Sequence, residues 1–141
     1  MNMQASLIPG DRELVPEDQR LDVVEGLFAM AFPLQLEPVI YRITDRMAER
    51  YDGGYWDFYT LSNEGFYMAP AEERIFHVTC RNMYEGDLSA DALRITTCLY
   101  AFSNLSFSLS DIVREYARHY HRLREYMLDH PEVRQILGAT D

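Results

Sequence analysis

The hydrophobic positions of this chain change their period twice, and each change marks a change of element. Residues 1–20 are polar, are interrupted by Pro9, Gly10 and Pro16, and keep no period, so they read as a loop-like arm. Residues 20–31 predict a short helix stopped by Pro33. Glu37-Pro38 offers a second helix start, because a proline in the first turn forfeits no intrahelical hydrogen bond. Val39, Ile40, Ile43, Met47 and Tyr51 then recur at three and four residues, which predicts one buried stripe. Arg42, Arg46 and Arg50 line another face, and Gly53-Gly54 closes the helix. From residue 55 the pattern becomes that of strands. Residues 55–61 predict a strand, 62–65 a hairpin turn, 66–69 a return strand stopped by Pro70, and 75–80 a third strand. Links this short favour an antiparallel meander, since a parallel crossover needs a dozen or more residues.

Helical spacing then returns. Ser89 and Ser110 are suited to cap helix N-termini, each followed by an acid in the first turn, Asp91 and Asp111. Behind them, Ala92, Ile95, Leu99 and Phe102 form one apolar stripe, and Val113, Tyr116, Tyr120, Leu123 and Met127 form another. Pro131 opens a last short helix that Gly138 closes. The expected class is α+β: an N-terminal arm and helix, a three-stranded antiparallel meander, then two or three C-terminal helices packed on the sheet. At 141 residues the chain fits a single domain, spanning 1–141 with residues 1–20 as its arm.

Composition sharpens this. Half of the chain is hydrophobic (48%) and 13% is aromatic, which is enough to build a packed core. All 13 bases are Arg, and 23 acids bring the formal charge to −10. Such a balance disfavours nonspecific binding to duplex DNA, which needs cations to displace counterions. It leaves open plain solubility, or an acidic surface that competes with DNA for a basic groove. Cys80 and Cys98 form no CxxC pair, and no basic start followed by an apolar run marks a secretory leader, so a cytoplasmic protein with free thiols is expected.

Candidate chemistry is sparse. His77 and Cys80 stand three apart on a strand and so face opposite ways. His119 and His121 diverge by about 200° on a helix. Neither pair converges as metal ligands must, and no metal site is expected. Cys98 falls among core positions. Arg114, Arg118 and Arg122 share a helical stripe able to grip phosphate, but acids nearby make a solvated, ion-paired face the better reading. Nucleotide-binding, serine-hydrolase and zinc-protease motifs are missing from the sequence.

The densest signal is aromatic: Tyr51, Tyr55, Trp56, Phe58, Tyr59, Phe66 and Tyr67. Strand alternation separates Trp56 and Phe58 from Tyr55 and Tyr59, so one set lines the core and the other is either covered or open as a partner surface. The run Tyr51-Asp52-Gly53-Gly54-Tyr55-Trp56-Asp57-Phe58-Tyr59-Thr60-Leu61-Ser62-Asn63-Glu64-Gly65-Phe66-Tyr67-Met68-Ala69-Pro70 closely resembles the signature of the ArdB/KlcA antirestriction family. The stretches Val15-Pro16-Glu17-Asp18-Gln19-Arg20-Leu21, Ser89-Ala90-Asp91-Ala92 and Leu99-Tyr100-Ala101 extend the resemblance over residues 14–105. Glu64 departs from it, standing where the family often has Gly.

The resemblance implies a fold particular to that family, carriage on plasmids or other mobile elements, and relief of type I restriction-modification of incoming DNA. It implies no catalytic residues and no cofactor. The expected partner is the type I complex or a host factor acting with it, with no direct contact to nucleic acid or membrane. The expected contact surface is Trp56, Tyr59, Asn63, Glu64 and Tyr67 on the hairpin, with Asp91, and the acidic region 11–25 second. The alternative is an acidic DNA mimic occupying the enzyme's DNA channel, and a third reading is an enzyme using His77 and Cys80.

Overall fold

Residues 12–51, 55–108 and 112–141 are described by the computed structural model. In chain order they form β1 (Arg12–Leu14), a 3-10 turn (Glu17–Gln19), α1 (Arg20–Phe28), a π-helical turn (Phe32–Leu36), α2 (Glu37–Met47), β2 (Trp56–Leu61), β3 (Phe66–Pro70), β4 (Ile75–Thr79), β5 (Glu85–Ser89), α3 (Ala90–Leu105), α4 (Val113–Met127) and α5 (Val133–Thr140). The class is α+β, with a three-stranded antiparallel meander on which C-terminal helices pack.

The strands of that meander differ from the expected set. Its order is β1-β2-β3, with Leu14 opposite Tyr59 and Phe58 opposite Met68. The expected third strand, β4, instead pairs with β5 in a separate ribbon, Phe76 opposite Leu88. Both β1 and β5 escaped the pattern for the same reason. Arg12-Glu13-Leu14 and Glu85-Gly86-Asp87-Leu88-Ser89 are short polar strands with few buried side chains, so no alternation marks them. Within the expected arm, residues 12–19 are therefore a strand and a 3-10 turn, fixed by backbone pairing to β2; residues 1–11 lie outside the described residues.

The helices also depart from expectation at their ends. Pro33 does not stop the chain: α1 ends at Phe28, Ala29 takes φ 51°, and Pro33 sits in the first positions of the π turn that runs directly into α2. The Glu37 N–H reaches back five residues to the Phe32 carbonyl. At its other end α2 stops at Met47 rather than at the expected glycines, residues 53 and 54, which lie outside the described residues. Strand pairing takes over there: Ala48 bridges Val78, and the Glu49 N–H donates to the His77 carbonyl at 2.9 Å. The Ser110 cap with Asp111 likewise falls outside the described residues.

The organising element is α3. Ser89 caps it as expected, its Oγ accepting from the Ala92 N–H at 3.1 Å. It packs on β3, α2, α4 and α5, so most of its circumference is buried, not one stripe. Around it Phe28, Phe32, Phe58, Phe66, Phe102 and Tyr116 interlock through stacked and edge-on ring contacts. α5 does not end at Gly138 but continues to Thr140. A Cβ at Gly138 would lie 2.8 Å from the Tyr84 ring, so this glycine serves helix-to-turn contact rather than termination.

Candidate interaction surface

The β2–β3 turn is held as a fixed projection. Asn63 Oδ1 accepts from the Gly65 N–H at 3.0 Å, closing the turn on itself. Its Nδ2 donates to the Arg122 carbonyl at 2.8 Å and to Glu125 at 3.1 Å, which ties the turn to α4. Glu64 sits at the tip, exposed, with φ 70°. Left-handed backbone favours glycine, and this accounts physically for the glycine often found there in the resembling family. Gly65 has no room for a side chain: a Cβ would lie 2.8 Å from Leu61 Cδ1 and 3.1 Å from Arg122 Cβ.

Below the turn, a polar knot joins the sheet to α3 and to the start of α5. Arg12 Nη1 donates to Asp91 Oδ1 at 2.7 Å and to the Tyr67 hydroxyl at 2.6 Å, and Tyr67 donates to the same carboxylate oxygen at 2.8 Å. The Glu132 N–H donates to His130 Nδ1 at 3.0 Å, which leaves Nε2 to carry the proton given to Asp91 Oδ2 at 2.9 Å. Burial opposes charge on Asp91, but the bonds from His130 and Tyr67 and the Arg12 cation outweigh it and hold the carboxyl below its ordinary range. Burial first, then the Asp91 charge, raises the Tyr67 hydroxyl far above its ordinary value, so it remains a donor. Glu132 closes the knot by accepting the Ser89 N–H at 3.0 Å and the Ser89 hydroxyl at 2.5 Å.

An open groove of about 560 Å³ borders this knot, lined by Arg12, Asp57, Tyr59, Glu72, Glu73, Arg74 and neighbouring residues. Its charges are largely compensated. Asp91 pairs with Arg12, Asp57 with Arg20 at 3.2 Å, and Glu72 with Arg74 at 3.7 Å. Tyr59 is half-buried, stacked on Tyr67 at 5.2 Å between ring centres and covered by the Arg12 guanidinium at 4.3 Å.

Of the expected contact residues, Glu64, Tyr59, Asn63 and Asp91 reach the surface in whole or part. Trp56 and Tyr67 do not. Trp56 is 3% exposed and Tyr67 is fully enclosed, so neither can touch a partner directly. Trp56 packs against Tyr41 and donates its indole N–H to Tyr51 at 2.9 Å, while β3 is buried on both faces between β2 and the helices. Both are scaffold, and Asn63 is a fastening as much as a surface. Sequence reasoning missed Arg12, His130 and Glu132. Arg12 lies in a segment without period, and His130 and Glu132 flank a turn proline, so only tertiary contact reveals them.

His77 and Cys80 separate as strand geometry requires. His77 lies between Asp87 at 2.8 Å and Glu85 at 2.7 Å, while Cys80 is buried and burial raises its thiol, the reverse of what a nucleophile needs. Cys98 is fully buried. Among the described residues no three His, Cys, Asp or Glu side chains converge as metal ligands. The arginine stripe on α4 is exposed or half-exposed, with Arg118 paired to Glu115.

With this geometry in view, the likeness to known proteins is close. Residues 49–141 match the family model described as antirestriction protein. The chain is 38% identical to antirestriction protein KlcA of Escherichia coli, covering 94% of this chain and 96% of that one. It is 40% identical to the uncharacterized protein YafX of Escherichia coli K12, covering 90% of this chain and 85% of that one. One solved structure superposes with a TM-score of 0.85 at 36% identity, covering 93% of this chain and 94% of that chain. It comes from work on KlcA and ArdB, for which a novel fold was described, with antirestriction activity against type I DNA restriction systems in vivo but not in vitro.

Proposed function

The chain belongs to the antirestriction protein family, and from that premise we propose that it relieves type I restriction of incoming DNA in the cytoplasm by binding a protein, without catalysis. The partner is the restriction complex or a host factor that acts with it. The observation that carries this reading is the exposed Glu64 tip, held by Asn63 and Arg122 on α4, with the partly exposed Tyr59 and Asp91 further down the same hairpin and in the knot below it. A preorganised projection suits a protein surface, because little ordering entropy is lost on docking. Activity of the related proteins in vivo but not in vitro fits a need for a further cellular component.

The DNA-mimic alternative is less well supported. A surrogate duplex requires rows of uncompensated carboxylates, yet Asp57, Glu72, Asp91 and Glu115 pair with arginines and Glu85 and Asp87 embrace His77. The test is plating of unmodified phage on cells carrying a type I system, with the wild type, Glu64→Arg or no protein expressed. Glu64→Arg keeps the backbone strain and side-chain length while reversing the charge. Lost relief with unchanged thermal unfolding supports the hairpin contact. Full relief by the variant removes it, and no relief by folded wild-type protein removes the antirestriction reading for this chain.

A further inference from the structure

A second cavity, of about 370 Å³, lies away from the hairpin between α2, the end of β4 and α3. Its rim is basic in an otherwise acidic protein. Arg42 and Arg46 project from successive turns of α2, and Arg81 comes from the turn after β4. No carboxylate lines it. Among the described residues none of these three arginines has an ion-pair partner. All three guanidiniums are exposed, and with no carboxylate on the lining they are placed to meet an anion arriving from solvent.

The cavity also offers more than charge. Val39 and Ile43 on its lining are half-buried, beside the α2 stripe of Ile40, Thr44 and Met47 that enters the core. Leu105 and the Tyr100 ring continue that apolar wall, and Asn104 and Thr79 add neutral hydrogen-bonding groups. The walls are fixed in place. Tyr100 donates its hydroxyl to the Ala139 carbonyl at 2.5 Å, and Asn82, next to Arg81, donates to the Gly138 carbonyl at 2.9 Å. Guanidinium forks match phosphate oxygens two at a time. The volume is within the range of small-molecule sites and leaves room for an organic body beside the phosphate.

We propose that this cavity binds a phosphate monoester with a planar or apolar body, of the size of a nucleoside monophosphate. Arg42, Arg46 and Arg81 take the phosphate, while Tyr100, Asn104, Val39 and Ile43 take the body. The site stands apart from the hairpin and does not depend on the antirestriction reading. It is tested by calorimetric titration of the full chain with AMP, and with adenosine, inorganic phosphate and a hexaglutamate peptide as comparators. Saturable AMP binding is expected, with adenosine and phosphate each weaker. Arg46→Ala and Arg81→Ala, both at exposed positions on separate elements, each lower AMP affinity by about tenfold. Arg114→Ala, on α4 outside the cavity, leaves it unchanged. The proposal is overturned if folded wild type does not bind AMP at millimolar concentration, if phosphate or the peptide binds as tightly as AMP, or if Arg114→Ala weakens binding as much as the cavity variants.

Discussion

Part of this protein's loss of stability in acid should come from a single buried histidine, His119. Its ring is fully buried in α4, 4.7 Å from the Phe28 ring centre and 5.6 Å from that of Phe102, and among the described residues neither nitrogen has a hydrogen-bond partner. Burial, assisted by the Arg122 charge, lowers its pKa from 6.5 to about 4. As pH falls below 6.5 the unfolded ring takes up a proton that the folded ring refuses, so stability declines until the folded ring also titrates near 4. Each tenfold change in proton affinity is worth about 1.4 kcal/mol, so the full window amounts to about 3 kcal/mol. That is a large share of a domain stability of roughly 5–15 kcal/mol.

The perturbation is His119→Phe, which keeps a ring among rings and removes the titrating group. Urea unfolding followed by circular dichroism, at a series of pH values across the window, gives the stability of each protein. The carboxylates titrate in both and cancel in the difference. The variant should also gain about 1 kcal/mol at neutral pH from losing an unsatisfied buried N–H, an offset that leaves the slope untouched. The decisive quantity is the change in the difference: the variant should lose about 3 kcal/mol less than wild type on acidification. Parallel curves would refute the argument.

The bonds from His77 to Asp87, and then to Glu85, raise its pKa above 6.5, so its stabilising contribution is full below 6.5 and fades as pH rises through the raised value; Asp87→Asn should lower the value seen by NMR titration, and no movement would refute the pairing. Asp91→Ala strands Arg12, Tyr67 and His130 and should cost about 3 kcal/mol in chemical denaturation, a loss under about 1 kcal/mol counting against the knot. In the wild type, Asp91's contribution is present above 3.8 and is lost as pH falls through its lower folded value. Gly65→Ala should lower the unfolding temperature, at a cost of about 1–3 kcal/mol from its contact with Leu61, whereas Glu64→Gly should raise it by relieving φ 70°; the opposite order would contradict the turn geometry.

Much of the fold was legible because long periodic elements announce themselves locally. The β2–β3 hairpin, the Ser89 cap and the burial of Ala92, Ile95, Leu99 and Phe102 all follow from spacing and turn chemistry. The separation of His77 from Cys80 followed from strand alternation alone. The hairpin run also carried the resemblance to the family, whose model matches residues 49–141. Of the residues expected at the surface, Glu64 and in part Tyr59, Asn63 and Asp91 reach solvent, while Trp56 and Tyr67, on the same run, are buried.

What the sequence determined by itself is therefore the class, the hairpin and the family. Only the tertiary structure decided that β1 joins the sheet, that β4 leaves it for β5, and that Arg12, Asp91 and His130 meet. Period and propensity are properties of neighbouring residues, whereas an edge strand with a polar sequence is held by backbone bonds to a partner far along the chain. The same holds for side chains. Both Arg12 and Arg81 are polar residues in short segments, and whether such a cation is paired inside a knot or left at a cavity rim depends on which elements fold against it.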